Sequence, residues 1–347
     1  MSRNRECYFD VLRVVSIFFV IVIHVTSAGM KLCAPVSAVW RTNWLINSIS
    51  RWAVPVFFMV SGALFLEPSK VLPIKKLYKK NILRLVNGIV IWGFLYSLLD
   101  QYLYETISVK SILVAIYGIL TGNTGYHLWF LYTLLMLYVA APLFRLITSN
   151  ASKGQLEYAL VMWGVCSLLI GQINYFAAEA GLGTDLVPFS PFVITGYGGY
   201  FLLGYYLKAY RLHGNVKKAG YILAAVSVCA IIFGKLLFFS AFEKETVALE
   251  LPLGILSCLL AVMIFTMAQN LKISDNASRM LDFLGQRVFG IYLTHVIFVS
   301  LVYHIWNVKP DYCQPALAVF TSSVGIFLAS LFVSWMLSKI PLLRRLV

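Results

Sequence analysis

Charge is scarce in this chain, and negative charge scarcer still. Asp, Glu, Lys and Arg make up 12% of 347 residues, with 14 acids against 28 bases. A water-soluble domain carries about twice that charged share, so a soluble globular enzyme is excluded, as is a disordered chain kept open by its own charge. No Pro- or Ser-rich linker, low-complexity tract or soluble-domain-sized segment separates one part from another, which leaves one membrane domain over residues 1–347. The six cysteines have no metal-ligand spacing, and Cys166, Cys229 and Cys258 lie inside apolar stretches, so no metal site is expected. Cys33 and Cys313 fall in loops assigned to one side, where an oxidising compartment would leave pairing open.

What the chain has instead is apolar length. Hydrophobic residues make up 60% of it and mean hydropathy is +0.82. Apolar runs long enough to cross a bilayer must be helices there, because lipid offers the backbone no hydrogen bonds. The expected fold is therefore an all-α polytopic membrane bundle. Ten spans are expected: Val11 to Ala28, Trp44 to Leu66, Ile82 to Leu103, His127 to Leu146, Tyr158 to Phe176, Phe192 to Tyr210, Tyr221 to Ser240, Glu250 to Asn270, Val288 to Ile305 and Gln314 to Leu337. Ser111 to Leu120 suits a short interfacial helix.

The formal charge of +14 invites a nucleic-acid partner, but its distribution argues otherwise. With both termini on one side, 20 of the 28 Lys and Arg fall on that side and five on the other, while Arg13, Arg51 and Lys235 lie within helices. The positive-inside rule then puts both termini in the cytoplasm. Charge reports topology, with membrane lipid as the surrounding partner and no nucleic acid. Arg3 and Arg5 before the first apolar run, and TSAG after it, imitate a signal peptide. An arginine inside that run and nine further spans argue against cleavage.

The first span, DVLRVVSIFFVIVIHVTSAG, carries Arg13 and His24. Eleven helical steps of about 100° bring their side chains to within about 20° of one face, roughly 16 Å apart along the axis. Such groups are expensive in hydrocarbon and by default mark a functional interior. Asp10, three residues before Arg13, can hold the guanidinium. Arg13 alone would also suit snorkelling to the interface, and His24 alone a bond to a neighbouring helix. A neutral imidazole is also a base able to take a hydroxyl proton at physiological pH.

Other candidates cluster along the chain. The second span, RWAVPVFFMVSGALF, has Arg51 near its outer end, which calls for an anionic partner, either a protein carboxylate or a substrate phosphate. Pro55 can kink it, and Ser61 with Gly62 marks a place for close approach by a helix or ligand. EPSKVLPIKKLYKKNILR, residues Glu67 to Arg84, brings Lys75, Lys76, Lys79, Lys80 and Arg84. It reads either as a topogenic loop drawn to anionic lipid or as a dock for a polyanion such as the phosphates of coenzyme A. His127, Trp129 and Tyr132 sit at the mouth of the fourth span, where an interfacial aromatic belt is also expected. His295, in FGIYLTH, either meets His24 across a cavity or bonds a neighbouring helix. The outer loop Ala177 to Ser190 suits either a substrate entrance or a plain connector.

Arg13 with His24, PVFFMVSGALF, YHLWFLY, GYFLLGYYL and FGIYLTH, in that order, resemble the membrane acyltransferase 3 superfamily, whose signature is an arginine and a histidine ten residues apart in the first span. The resemblance covers nearly the whole chain. Within the superfamily it is most similar to the single-domain O-acetyltransferases of surface glycans, such as those acting on enterobacterial common antigen. It implies transfer of an acetyl group from cytoplasmic acetyl-CoA, the donor, to a hydroxyl of a glycan or polyprenyl-linked glycan at the outer face of the cell inner membrane. It implies His24 as catalytic histidine with Arg13 as its partner, and a donor site drawn from Arg13, Ser61, Lys75, Lys76, Lys79, Lys80 and Arg84. The acceptor would meet Arg51, His127, Trp129, Tyr132 and His295. Composition alone suits a proton-coupled exporter or flippase equally well. Oligomeric state has no sequence signal.

Overall fold

The computed structural model describes residues 6–104, 109–182, 196–243 and 245–340. Among these there are helices and no strands, as hydrocarbon requires. In chain order the helices are α1 (Tyr8–Lys31), α2 (Ala38–Ser50), α3 (Ala53–Phe65), the single turn α4 (Ile74–Lys76), α5 (Leu83–Tyr104), α6 (Val109–Thr121), α7 (Trp129–Asn150), α8 (Lys153–Trp163), α9 (Ile170–Glu179), α10 (Tyr197–Ala209), α11 (Gly214–Phe242), α12 (Ile255–Gln269), α13 (Asp275–Gly285), α14 (Val288–Ser300) and α15 (Pro315–Lys339). Short π-helical turns at Leu77–Ile82, Gly164–Leu169 and Leu301–Ile305 carry three of these on without interruption.

Nine helical segments among the described residues are long and apolar enough to cross a membrane, against ten expected. The remaining expected span, Phe192 to Tyr210, is helical over the thirteen residues of α10, and its beginning lies outside the described residues. So do Arg3, Arg5, Lys244, Arg344, Arg345 and, in the outer loop, Gly183, Asp185 and Pro188. The expected interfacial helix is α6.

The second span differs most from expectation: it is two helices, α2 and α3, joined by a turn at Arg51 and Trp52. Pro55 explains the break. In a continuous helix its ring would collide with the carbonyl four residues back, that of Arg51. Placed instead in the first turn of α3, it leaves no hydrogen bond unmade. Pro55 therefore starts a helix rather than kinking one.

α1 is the hub, in contact with α2, α3, α12, α13, α14 and α15. Its Leu12, Ile17, Ile21 and Val25 are fully or almost fully buried. The tightest joint lies next to it, between α3 and α10. A Cβ on Gly62 would stand 1.7 Å from the carbonyl oxygen of Phe201, and one on Gly204 would stand 1.8 Å from that of Met59. The two backbones touch, and only glycine permits it. Close approach at Gly62 is thus approach by a helix.

Cations close the end of α3 where carbonyls lack partners. Arg145 of α7 donates to the carbonyl oxygens of Phe65, Pro68 and Lys70, and the Thr148 hydroxyl donates to that of Leu66. Lys208 of α10 donates to the Ala63 carbonyl at 3.3 Å and lies 3.1 Å from Glu67 and 3.5 Å from Glu6. Burial pushes the pKa of Glu67 up, but the hydrogen bond and charge of Lys208 outweigh it and hold this carboxyl below its ordinary range. Arg13, Arg145 and Lys208 thereby mark one end of the bundle, hereafter the basic end.

Gly204→Ala should cost about 2 kcal/mol or more, because a methyl group must displace backbone rather than a flexible side chain. Thermal unfolding of the purified protein in detergent would read this loss. A variant that melts with the wild type would mean that the two helices separate freely.

Candidate functional site

At the other end of α1, four elements converge on His24. Val20 and His24, one helical turn apart, form one wall of a small, partly open pocket. Val54 and Phe57 of α3, His127, Trp129 and Phe130 at the start of α7, and Tyr292 of α14 complete it. A mostly apolar lining with few polar groups is the usual composition of a ligand pocket.

Three of the chain's five histidines meet here. The His24 ring centre lies 5.1 Å from that of His295 and 6.3 Å from that of His127, and His127 and His295 are 5.5 Å apart. His24 is half-buried, whereas His127 and His295 are 2% and 0% exposed. Of the two readings open for His295, the structure places its ring beside that of His24.

Local chemistry fixes these rings. His127, where the fourth span was expected to begin, stands in the turn two residues before α7 starts at Trp129, and Gly125 makes room for it. A Cβ on Gly125 would stand 3.0 Å from Tyr96 and 3.3 Å from the His127 ring. The Tyr292 hydroxyl donates to the His127 carbonyl at 2.6 Å, and that of Tyr96 to the Leu293 carbonyl at 2.8 Å, so α5 and α14 are tied to the turn. Nδ1 of His295 bonds the Tyr292 carbonyl at 2.6 Å. Both ring nitrogens of His127 and Nε2 of His295 are buried without hydrogen-bond partners. No group of His, Cys, Asp or Glu among the described residues is arranged to hold a metal ion.

Behind the pocket lies a charge cluster that sequence reasoning missed. Lys235 of α11 is wholly buried and pairs with Glu250, donates to the Ser48 hydroxyl at 2.8 Å, and stands 4.4 Å from the centre of the Trp44 ring. Arg51 reaches the same carboxylate at 3.3 Å and donates from Nε to Asn47 at 3.1 Å. The anionic partner that Arg51 called for is thus, in the folded chain, a protein carboxylate. The guanidinium keeps 26% of its side chain exposed and is within electrostatic reach of His24 and Tyr197. Lys235, a lone cation in IIFGKLLFF, was the signal, since a buried ammonium needs a buried acid.

The remaining expected residues divide. Trp129 lines the pocket, with its ring 5.3 Å from that of Tyr197. Tyr132 points elsewhere, donating to the Ile119 carbonyl of α6 at 2.7 Å. At the basic end Arg13 pairs with Asp10 at 3.2 Å, as expected from their spacing. Ser61 is within reach of the Tyr138 hydroxyl, Arg13 and Arg84 act on it through their charge alone, and Arg84 stacks on Phe289 at 4.4 Å. Lys75, Lys76, Lys79 and Lys80 are exposed. Cys33 and Cys313 are free thiols, and burial together with the charge of Asp311 pushes the Cys33 thiol up.

An acyltransferase domain model, that of the acyltransferase 3 family, matches residues 7–339. The chain belongs to this family. It is a multi-pass membrane acyltransferase by that membership and by its helices. No curated protein matches the chain, and no solved structure does.

Two cations share one acid behind the pocket, and this gives an ordered prediction. Glu250→Gln strands both and should cost about 3–5 kcal/mol, whereas Lys235→Met leaves the neutral Arg51–Glu250 pair and should cost less. Unfolding in detergent ranks the two; equal losses would show that Lys235 and Arg51 do not depend on the same carboxylate.

Proposed function

We propose that this protein is an O-acetyltransferase of the cell inner membrane that moves an acetyl group from cytoplasmic acetyl-CoA to a hydroxyl of a surface or polyprenyl-linked glycan. The observation that carries this reading is the arrangement along α1. His24 stands in the wall of an apolar pocket, and Arg13, on the same helix face, stands among Asp10, Arg84 and Tyr138 at the basic end.

The residues present fit such a donor. Four exposed lysines, Lys75, Lys76, Lys79 and Lys80, suit the phosphates of CoA, and the arginine pair suits the polar turn where a long, thin pantetheine arm enters the bundle. The arm spans the distance to His24 and delivers the thioester there. His24 takes the proton of the acceptor hydroxyl as its oxygen bonds to the acyl carbon. The carbon–sulfur bond then breaks, and the departing thiolate takes the proton back from the imidazolium. Alternatively the His24 nitrogen itself carries the acetyl group between two exchanges. The Trp129 and Tyr197 rings offer a sugar an aromatic face, and the open side of Arg51 faces a lipid-linked phosphate. With this topology both termini are cytoplasmic.

Purified protein in detergent with radiolabelled acetyl-CoA and a glycan acceptor tests the reading directly, since an exporter or flippase would not consume the thioester. His24→Ala should lower transfer by about 10² to 10⁴ or more, the size of general-base help, with unfolding temperature unchanged. Near-normal turnover in that variant would remove His24 from the mechanism.

Replacing Lys75, Lys76, Lys79 and Lys80 with Gln should raise the acetyl-CoA concentration needed for half-saturation and flatten its salt dependence. Cysteine labelling checks the topology of the same variant. Unaltered donor binding in correctly inserted protein would leave these lysines a topogenic role alone.

A further inference from the structure

His295 has a geometry that sets it apart from its two neighbours. One of its nitrogens, Nδ1, is 2.6 Å from the Tyr292 carbonyl oxygen. A carbonyl oxygen only accepts, so Nδ1 carries the hydrogen, and in the neutral ring Nε2 is left with a bare lone pair. That lone pair is buried and has no partner, on a side chain that is itself fully buried. Buried acceptors of this kind are rare and call for an explanation.

The ring nearest to it supplies one. His24 lies 5.1 Å away between ring centres, closer than His127 at 5.5 Å or Tyr292 at 5.8 Å. The two rings are not hydrogen-bonded as they stand, but an imidazole nitrogen lies about 1.2 Å from its ring centre, so a ring rotation that faces the two nitrogens brings them within hydrogen-bond reach at this separation. The other groups around His24 do not offer the same service. The His127 ring is farther from it, at 6.3 Å between centres, Tyr126 turns the edge of a phenol ring rather than an imidazole to it, and Arg51 presents a charge that can only donate.

We propose that His295 is the positioning residue of this centre. Its carbonyl-locked tautomer presents Nε2 as acceptor to one N–H of His24 and so leaves the other His24 nitrogen unprotonated toward the pocket. The inference rests on the acyltransferase reading given above for what His24 then does, but not for the tautomer itself. The logic is that of any base oriented by a third group, with a neutral imidazole in the place usually taken by a carboxylate. A neutral orienter suits an apolar pocket, because it avoids burying an uncompensated negative charge. The α14 helix supplies the lock from its own backbone, three residues earlier, so no other element has to be brought in to hold it.

The test separates orientation from packing. Diethyl pyrocarbonate reacts with unprotonated imidazole nitrogen, and mass spectrometry reads its addition to His24 without any substrate. His295→Phe keeps an aromatic ring but removes the acceptor. It should slow modification of His24 about tenfold and lower kcat about 10²-fold, a typical size for loss of assistance to a base, with KM for acetyl-CoA unchanged. His295→Gln, whose amide oxygen can accept, should recover part of both. A wild-type modification rate and kcat in His295→Phe would overturn the proposal. So would equal losses in the Phe and Gln variants with a lowered unfolding temperature, which would give His295 a packing role only. If instead His24→Ala proves active, the acyltransferase role of His24 fails, while the reagent still reports whether His295 orients it.

Discussion

A polar group inside this bundle has only other parts of the chain to satisfy it, and that constraint organises the structure. Arg51 and Lys235 converge on the single carboxylate of Glu250. Arg13 holds Asp10, and Arg145 with Lys208 closes the exposed carbonyls of α3. Apart from the Arg13–Asp10 pair, which lies within α1, these contacts join different elements of the chain, because lipid offers no alternative partner. The Glu250 knot has the widest reach. It ties α11 and the segment before α12 to the α2–α3 break, and so holds the wall of the histidine pocket from behind. Hydrophobic packing supplies the bulk of the contacts, but polar satisfaction selects which helices are neighbours.

Against that background the three histidines are exceptions of a specific kind. His127 and His295 are deeply buried yet keep nitrogen atoms without partners. The Tyr292 and Tyr96 hydroxyls tie their surroundings to backbone carbonyls, so the rings are held by a rigid frame. Such a frame fixes where the imidazole nitrogens stand, which is what the proton transfer proposed for His24 requires.

Much of this was legible in the residues. Helical class followed from apolar length, and the Arg13–Asp10 pair and the shared face of Arg13 and His24 followed from spacing alone. The nearness of His295 to His24 was one of two open readings. The break at Arg51 was harder, because Pro55 within an apolar run signals either a kink or a fresh helix, and the residues alone do not say which. The Lys235–Glu250 pair was out of reach since no periodicity links α11 to the turn before α12; it is fixed by tertiary contact. Tyr132 shows the opposite failure. An aromatic near the mouth of a span fits a pocket as well as it fits α6, and the hydroxyl chose the α6 carbonyl.

The joint between α3 and α10 carries a mechanical consequence. Two helices whose glycines rest on each other's carbonyl oxygens cannot slide or roll without collision, so they behave as a single stave. That stave bears part of the histidine pocket near one end and the Arg145 and Lys208 contacts at the other. The pocket wall they carry cannot open by sliding one helix along the other, so any breathing of the bundle has to come from its other elements.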